Sequence, residues 1–427
     1  MATDVDVQFF SHLNGLTLGN NWGDLIRLLD KALVTGLDFT QITAATIDEQ
    51  GDVHITLYAA HNTLLFQVVE LSGFNPTSLN QKYRIKGVPN TTQLILKPAL
   101  DIAERSITAV GTGKLASLGY EIVFRDTNDV KRVYRSKNPR AEHPFIRVDE
   151  TISDGTNSYN SAYAKSAMVG LIENMTHIDD FEDISKLQLP LDITDFKKNW
   201  KITGTSTSIV RGWAKWYWAN GNNMPNNANQ ESTIPATGNR SFTLIGDQDA
   251  FYLQLSPANL QANKLIVGCG LYNSSLQNDV IPNWFLMATM KSTSAEDTVE
   301  RTPVLQDGAM PLVTNQISNR FFSPSYSILS RISNHALMYG VLPHTASGST
   351  NTYGSNSVSA LEIPCNSSDG YLRGTLKHIC FAGKSIASNT ITTPVISDLD
   401  MYVMDSLHTY NDNNIIGGVY YYLGGLE

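Results

Sequence analysis

One stretch of this chain carries the apolar spacing of a helix, and almost all of the rest carries the spacing of strands. Leu25, Leu28, Leu29, Ala32 and Leu33 follow the i, i+3, i+4, i+7, i+8 stripe of one helical face. Asn21 is placed to act as the N-cap, with Asp24 three residues on as the acidic half of a capping box, and Gly36 as the terminating glycine. A single helix over about 22–35 is therefore expected. Around it, Val53, Ile55 and Leu57 alternate, Leu64 to Leu71 is an apolar run, Gly73 to Pro76 is a turn, and Tyr83 to Val88 and Leu94 to Leu96 are further strands. Strands every 8–12 residues with turn residues between them predict a small barrel or sandwich.

The pattern continues. Tyr120, Ile122 and Phe124 share one face of a strand, Asp126 to Asp129 is turn chemistry, and Val130 to Tyr134 returns as the second arm of a hairpin. Phe145 to Val148, Ser241 to Ile245, Phe251 to Leu255, Leu265 to Leu271, Thr375 to Phe381, Met401 to Met404 and Val419 to Leu423 also read as strands; Ala162 to Ile172 fits a short helix or a strand. No fixed-period repeat is visible. At 427 residues the chain is long enough for two to three domains. The expected fold is mainly β and multidomain, with small β-barrel or sandwich domains and a few short helices. Its expected divisions are an N-terminal segment with one helix (1–37), a small β domain (38–115), and a larger β-rich part (116–427) interrupted by Asn- and Ser-rich loops at 220–230 and 346–360.

Composition narrows the function. Charged residues make up 17%, where about 25% is usual, and the net charge is −9. No segment concentrates Lys and Arg, so a nucleic-acid groove is not expected. The start MATDVDVQFF has neither a basic segment nor a long apolar core, so no signal peptide is expected, and no apolar run approaches a bilayer span. Cys269, Cys365 and Cys380 form no CxxC and are odd in number, which predicts reduced, mostly buried thiols. No cofactor, metal or membrane partner is expected.

Catalytic patterns are weak. Gly111-Thr112-Gly113-Lys114 lacks the earlier glycine and the following Ser or Thr of a phosphate loop. There is no GxSxG elbow and no HExxH. Asp247 and Asp249 are the best carboxylate pair for glycoside hydrolysis, but they sit in turn chemistry, where Asp bonds its own backbone. The acidic run around Asp179 lacks a calcium-loop spacing. Trp213, Trp216 and Trp218 form an aromatic cluster suited to core, to interface or to sugar stacking, and Tyr420, Tyr421 and Tyr422 form a second one.

Several stretches together resemble a family of virion structural proteins of tailed bacteriophages. They are Leu71-Ser72-Gly73 through Tyr83-Arg84-Ile85; Leu118-Gly119-Tyr120-Glu121 with Val133-Tyr134-Arg135-Ser136 and Ile146-Arg147-Val148-Asp149; Glu173-Asn174-Met175-Thr176 with Ile178-Asp179; Ser241 to Asp247 leading to Phe251-Tyr252-Leu253; and Tyr371-Leu372-Arg373-Gly374-Thr375-Leu376. Tyr120 stands where relatives carry Trp, and the Asn-rich stretch at 220–230 is particular to this chain. The resemblance implies a virion component without fixing its layer in the particle; the expected role is a non-enzymatic tail or neck (collar) subunit, located in the virion and, during assembly, in the host cytoplasm. Its implied partners are copies of itself in a symmetric ring and neighbouring tail, neck or head–tail proteins. The residues expected at such contacts are Trp213, Trp216, Trp218, Tyr420, Tyr421 and Tyr422. Two alternatives stand beside it: a carbohydrate-binding tail component for host recognition and a tail-associated glycosidase.

Overall fold

The structure is a computed structural model that describes residues 3–156, 159–205, 209–221, 234–259, 264–275, 282–290, 311–312, 320–325, 336–342, 361–367, 370–383, 392–408 and 416–426. The expected loop at 346–360, and that at 220–230 beyond Gly221, lie outside the described residues. The fold is mainly β and multidomain, and every described strand pairing is antiparallel. Seven strands between Leu37 and Leu115 pair only with one another, in the order Leu37–Asp38, Thr112–Leu115, Val68–Ser72, Lys82–Asn90, Gln93–Pro98, Val53–Leu57, Ile42–Ile47. A second seven-stranded sheet, the middle sheet, contains the expected hairpin, Tyr120–Arg125 with Lys131–Ser136, followed by Phe145–Asp149, Lys165–Ile172 and Ala214–Ala219. Lys165–Ile172 is the segment whose sequence fits helix or strand. It is flanked by strands on both sides and buried along its whole length, so it has no polar face to reveal its period.

The third sheet has thirteen strands. It begins with Gln8–Ser11, which pairs with Phe242–Gly246 and then leads through Ala250–Leu255, Leu265–Leu271, Trp284–Met287, Phe321–Ser323, Ala336–Gly340 and Leu361–Ser367 to the C-terminal strands. Leu372–Gly383, Ile416–Gly425, Asp400–His408 and Thr393–Ser397 complete the row in that order. Leu265–Leu271 runs on into Asn273–Ser274, which pairs back onto Leu372–Gly383, so the sheet curls on itself. Phe285, Met338, Ile363, Ile379, Phe381 and Tyr421 fill the interior of that curl. A separate, larger core joins the helix and the N-terminal sheet to the middle sheet and to one face of the thirteen-stranded sheet.

The helical stripe is where the sequence places it: Leu25, Leu28, Leu29, Ala32 and Leu33 are all buried. Asp24–Leu29 is α-helical and Asp30–Thr35 continues it with the wider π spacing. Its start differs in detail from the expected capping box. The Asp24 carboxylate does accept from the Asn21 N–H at 3.0 Å, but Gly23, at φ 84, is the N-cap and offers no side chain. The missing acceptor comes from afar: Glu150, at the end of the Phe145–Asp149 strand, accepts from the Gly23 N–H at 2.5 Å and the Ile26 N–H at 3.0 Å. At the other end Gly36 sits at φ 74, and a β-carbon there would lie 2.1 Å from the Leu115 carbonyl oxygen, so only glycine fits.

Arg84 ties the N-terminal sheet to both ends of the chain. Its guanidinium is fully buried and donates to the carbonyl oxygens of Asp4 (2.9 Å), Val7 (2.9 Å), Phe66 (2.8 Å) and Leu423 (3.0 Å). Burial lowers its pKa to about 10, so it remains charged at neutral pH. Gln8 adds a second tie. Its amide donates to the Val68 and Ala116 carbonyls, each at 2.8 Å, and accepts from the Val68 N–H, so the first strand joins one sheet by its backbone and another by a side chain.

Two outcomes are expected. Arg84→Met leaves four buried carbonyls without their donor and should cost about 3–5 kcal/mol, read as a lower urea midpoint, with Arg84→Lys recovering part of it. For Glu150, burial outweighs the two N–H donors and raises the carboxyl from 4.5 to about 7. A raised folded-state pKa means that the Glu150-dependent stability is fully present below pH 4.5 and is lost as pH rises toward 7. Wild type should therefore lose ground against Glu150→Gln between pH 5 and pH 8 in paired thermal melts.

Candidate functional site

The acidic turn Gly246-Asp247-Gln248-Asp249 joins strands Phe242–Gly246 and Ala250–Leu255. Asp247 closes the turn on itself, its Oδ1 accepting the N–H groups of Asp249 (2.8 Å) and Ala250 (3.0 Å). Its Oδ2 meets His378 Nε2 at 2.9 Å. Asp249 gathers more partners: His143 Nε2 at 2.8 Å, Arg140 at 3.0 Å, and the Lys377 ammonium. Neighbouring residues of a regular strand point to opposite faces. Lys377 and His378 nevertheless both reach this turn, because His378 adopts a left-handed φ of 61° that breaks the alternation.

This geometry decides the chemistry of the pair. Burial alone would raise both carboxyls. At Asp249 the hydrogen bonds from His143 and Lys377 and the charges of Lys377 and Arg140 outweigh it and hold the group well below the ordinary carboxylate range. At Asp247 the His378 contact and the two backbone donors outweigh burial and lower the carboxyl. Glycoside hydrolysis needs one carboxyl that keeps its proton near neutrality. Neither aspartate is such a group; together they clamp the Arg140–His143 loop and the Leu372–Gly383 strand to the turn.

The other candidates resolve in the same manner. Around Asp179, each acid has its own partner: Asp179 pairs with Arg147 (3.2 Å), Asp180 with Lys186 (2.7 Å) and Glu182 with Lys197 (2.7 Å). Among the described residues no group of His, Cys, Asp and Glu side chains is arranged to hold a metal. Lys114 of the glycine-rich stretch lies on a strand and pairs with Glu70 at 3.4 Å. Cys269, Cys365 and Cys380 are all free thiols, and burial raises each of them.

The aromatic residues expected at contacts are mostly interior. Trp216 packs edge-on against Phe251, Trp218 against Trp22, and Trp213 against Phe322, all within the larger core. Trp216 also donates its indole N–H to the Met287 carbonyl at 2.8 Å. In the second cluster the strand period separates the three tyrosines. Tyr421 points inward and donates to Gln254 at 2.7 Å. Tyr420 and Tyr422 lie on the opposite face, Tyr420 packed against Tyr402 and Met404 and Tyr422 37% exposed. Trp213, Trp216, Trp218 and Tyr421, expected at contacts, are packed within the chain, Tyr420 is buried as well, and Tyr422 is the one of the six that is exposed at the surface.

Beside the acidic turn an open pocket of about 480 Å³ lies on that outer face. Glu362, His378, Cys380, Asp400, Tyr402 and Tyr422 contribute to its walls. The sequence singled out Tyr422 and Cys380 among its residues but not the pocket, since these residues come from strands that become neighbours only through the sheet.

The turn also sets an acid response. A depressed carboxyl contributes stability that is present above its unfolded value, about 4, and is lost as pH falls below it. Asp249→Asn should therefore lower the melting temperature at pH 7, with the gap to wild type narrowing as the pH is taken below 4. Neither a family model nor a curated protein matches this chain.

Proposed function

We propose that the chain is a structural subunit of a tailed-bacteriophage virion, a tail or neck component that assembles with copies of itself into a ring. The observation that carries this reading is the use to which the resembling segments are put. Tyr134 donates to Asp30 at 2.7 Å and so fixes the hairpin to the helix. Arg147 pairs with Asp149 at 3.0 Å and Asp179 at 3.2 Å, and its guanidinium lies over the rings of Phe181 and Trp200. Asp247 holds His378, Arg84 holds the chain ends, and Arg373 donates to the Pro324 carbonyl at 3.2 Å. These are residues that specify an architecture rather than a reaction.

Composition supports the same reading. Low charge density reduces the desolvation that broad subunit contacts require, and a head-to-tail contact repeated around an axis closes a ring. The test belongs on the particle. Mass spectrometry of purified virions, followed by a reconstruction, should find the chain in several equivalent copies, with each contact burying more than about 1,000 Å². Absence from the particle, or isolated single copies, would sink the proposal.

A further inference from the structure

We infer that the pocket on the outer face of the C-terminal strands is a binding site for a neutral oligosaccharide. Four adjacent strands build it, and their register determines what they present. Glu362, Cys380, Tyr420 and Met404 lie opposite one another in successive strands, and Tyr402 lies directly opposite Tyr422. The rings of Tyr402 and Tyr422 are 5.4 Å apart and inclined at 51°, which makes a two-ring platform along one wall. Tyr422 donates its hydroxyl to Asp400 at 3.2 Å, so the carboxylate sits at the edge of that platform. Glu362 and Asn273 also line the space.

A sugar ring has the matching chemistry. Its C–H face packs on an aromatic face, which carries negative potential, while its hydroxyls donate to carboxylate and amide oxygens. The volume lies within the range of small-molecule sites and exceeds what a single ammonium group fills. Charge selects the class of glycan. The two basic side chains of the wall, Lys377 and His378, are already engaged by Asp249 and Asp247. Among the described residues, the charges left facing the space are the carboxylates of Glu362 and Asp400, which disfavour sialylated, uronate or phosphorylated ligands. The clamp at the acidic turn thus also makes the pocket selective.

This site does not depend on the virion reading. A ring-forming subunit that bound no glycan would overturn it alone, and a glycan-binding protein absent from virions would leave it intact. The full-length chain should be titrated by calorimetry with neutral glucose-, galactose-, mannose- and N-acetylglucosamine-based oligosaccharides. Sialylated and glucuronate-containing oligosaccharides and a short Lys/Arg peptide serve as charged counterparts. Binding of at least one neutral oligosaccharide is expected, weakened about tenfold or more by Tyr422→Ala and by Tyr402→Ala. Asp400→Asn, which keeps the shape, should weaken it too, with all three variants melting near wild type. No neutral binding, binding indifferent to these substitutions, or preference for the basic peptide would each overturn the assignment.

Discussion

A charged guanidinium buried, among the described residues, without a carboxylate in hydrogen-bonding reach is the constraint on which much of this architecture rests. Arg84 is satisfied by four backbone carbonyls, and the most distant of them, that of Leu423, is 339 positions away. Each carbonyl would need a donor in any case, because buried backbone oxygens are rarely left unpaired. One arginine therefore answers four such needs at the junction of the N-terminal segment, the N-terminal sheet and the last strand. Local backbone geometry is adjusted to it: Phe66 takes φ 67, an uncommon conformation for a bulky residue, and its carbonyl accepts from Arg84.

Other buried arginines follow the same logic. Arg240 donates to the carbonyls of Ala236, Gly238 and Pro257, and Arg211 to those of Thr151 and Ser166 while lying 4.8 Å from the Trp22 ring centroid. Arg132 and Arg147 each combine a backbone carbonyl, that of Lys131 and of Ile178, with carboxylates. The small charged fraction of the chain is thus spent partly in its interior, where a planar fork of donors can join loops that no regular ladder reaches. Removing one member of such a junction strands the others, and this makes these positions more sensitive than the ion pairs at the surface.

What the sequence made legible was what local periodicity encodes. The leucine stripe marked the helix, and alternation marked Val53–Leu57 and Tyr120–Arg125, while Trp284–Met287, Phe321–Ser323, Ala336–Gly340 and Leu361–Ser367 were not foreseen as strands. What it left hidden depends on partners far along the chain. Gln8–Ser11 is too short to show a period and becomes a strand through Phe242–Gly246. The helix took its cap from Glu150, which no local box could announce. Aromatic density alone did not separate core from surface: Trp213, Trp216 and Trp218 are interior because the middle sheet packs on the helix and on the thirteen-stranded sheet. For the tyrosine run, alternation of faces was enough to turn Tyr421 inward and Tyr422 outward.

The same alternation links the core of the curled sheet to its outer pocket. Ile379, Tyr421 and Val403 stand opposite one another in three successive strands and face the apolar interior. A slip of one residue in any of these strands would send its whole apolar set to solvent, so burial fixes the register firmly. Once Tyr421 is fixed inside, Tyr420 and Tyr422 must lie outside, and the pairing of Tyr402 with Tyr422 follows from the ladder rather than from any contact between the rings. The platform is therefore carried on rigid strands and needs little ordering when a ligand arrives, a condition that favours affinity in an open site. Lys377 and His378 are likewise placed by the course of their strand. The irregularity at His378 directs both toward the acidic turn, and among the described residues the pocket keeps the carboxylates of Glu362 and Asp400 as its remaining charge.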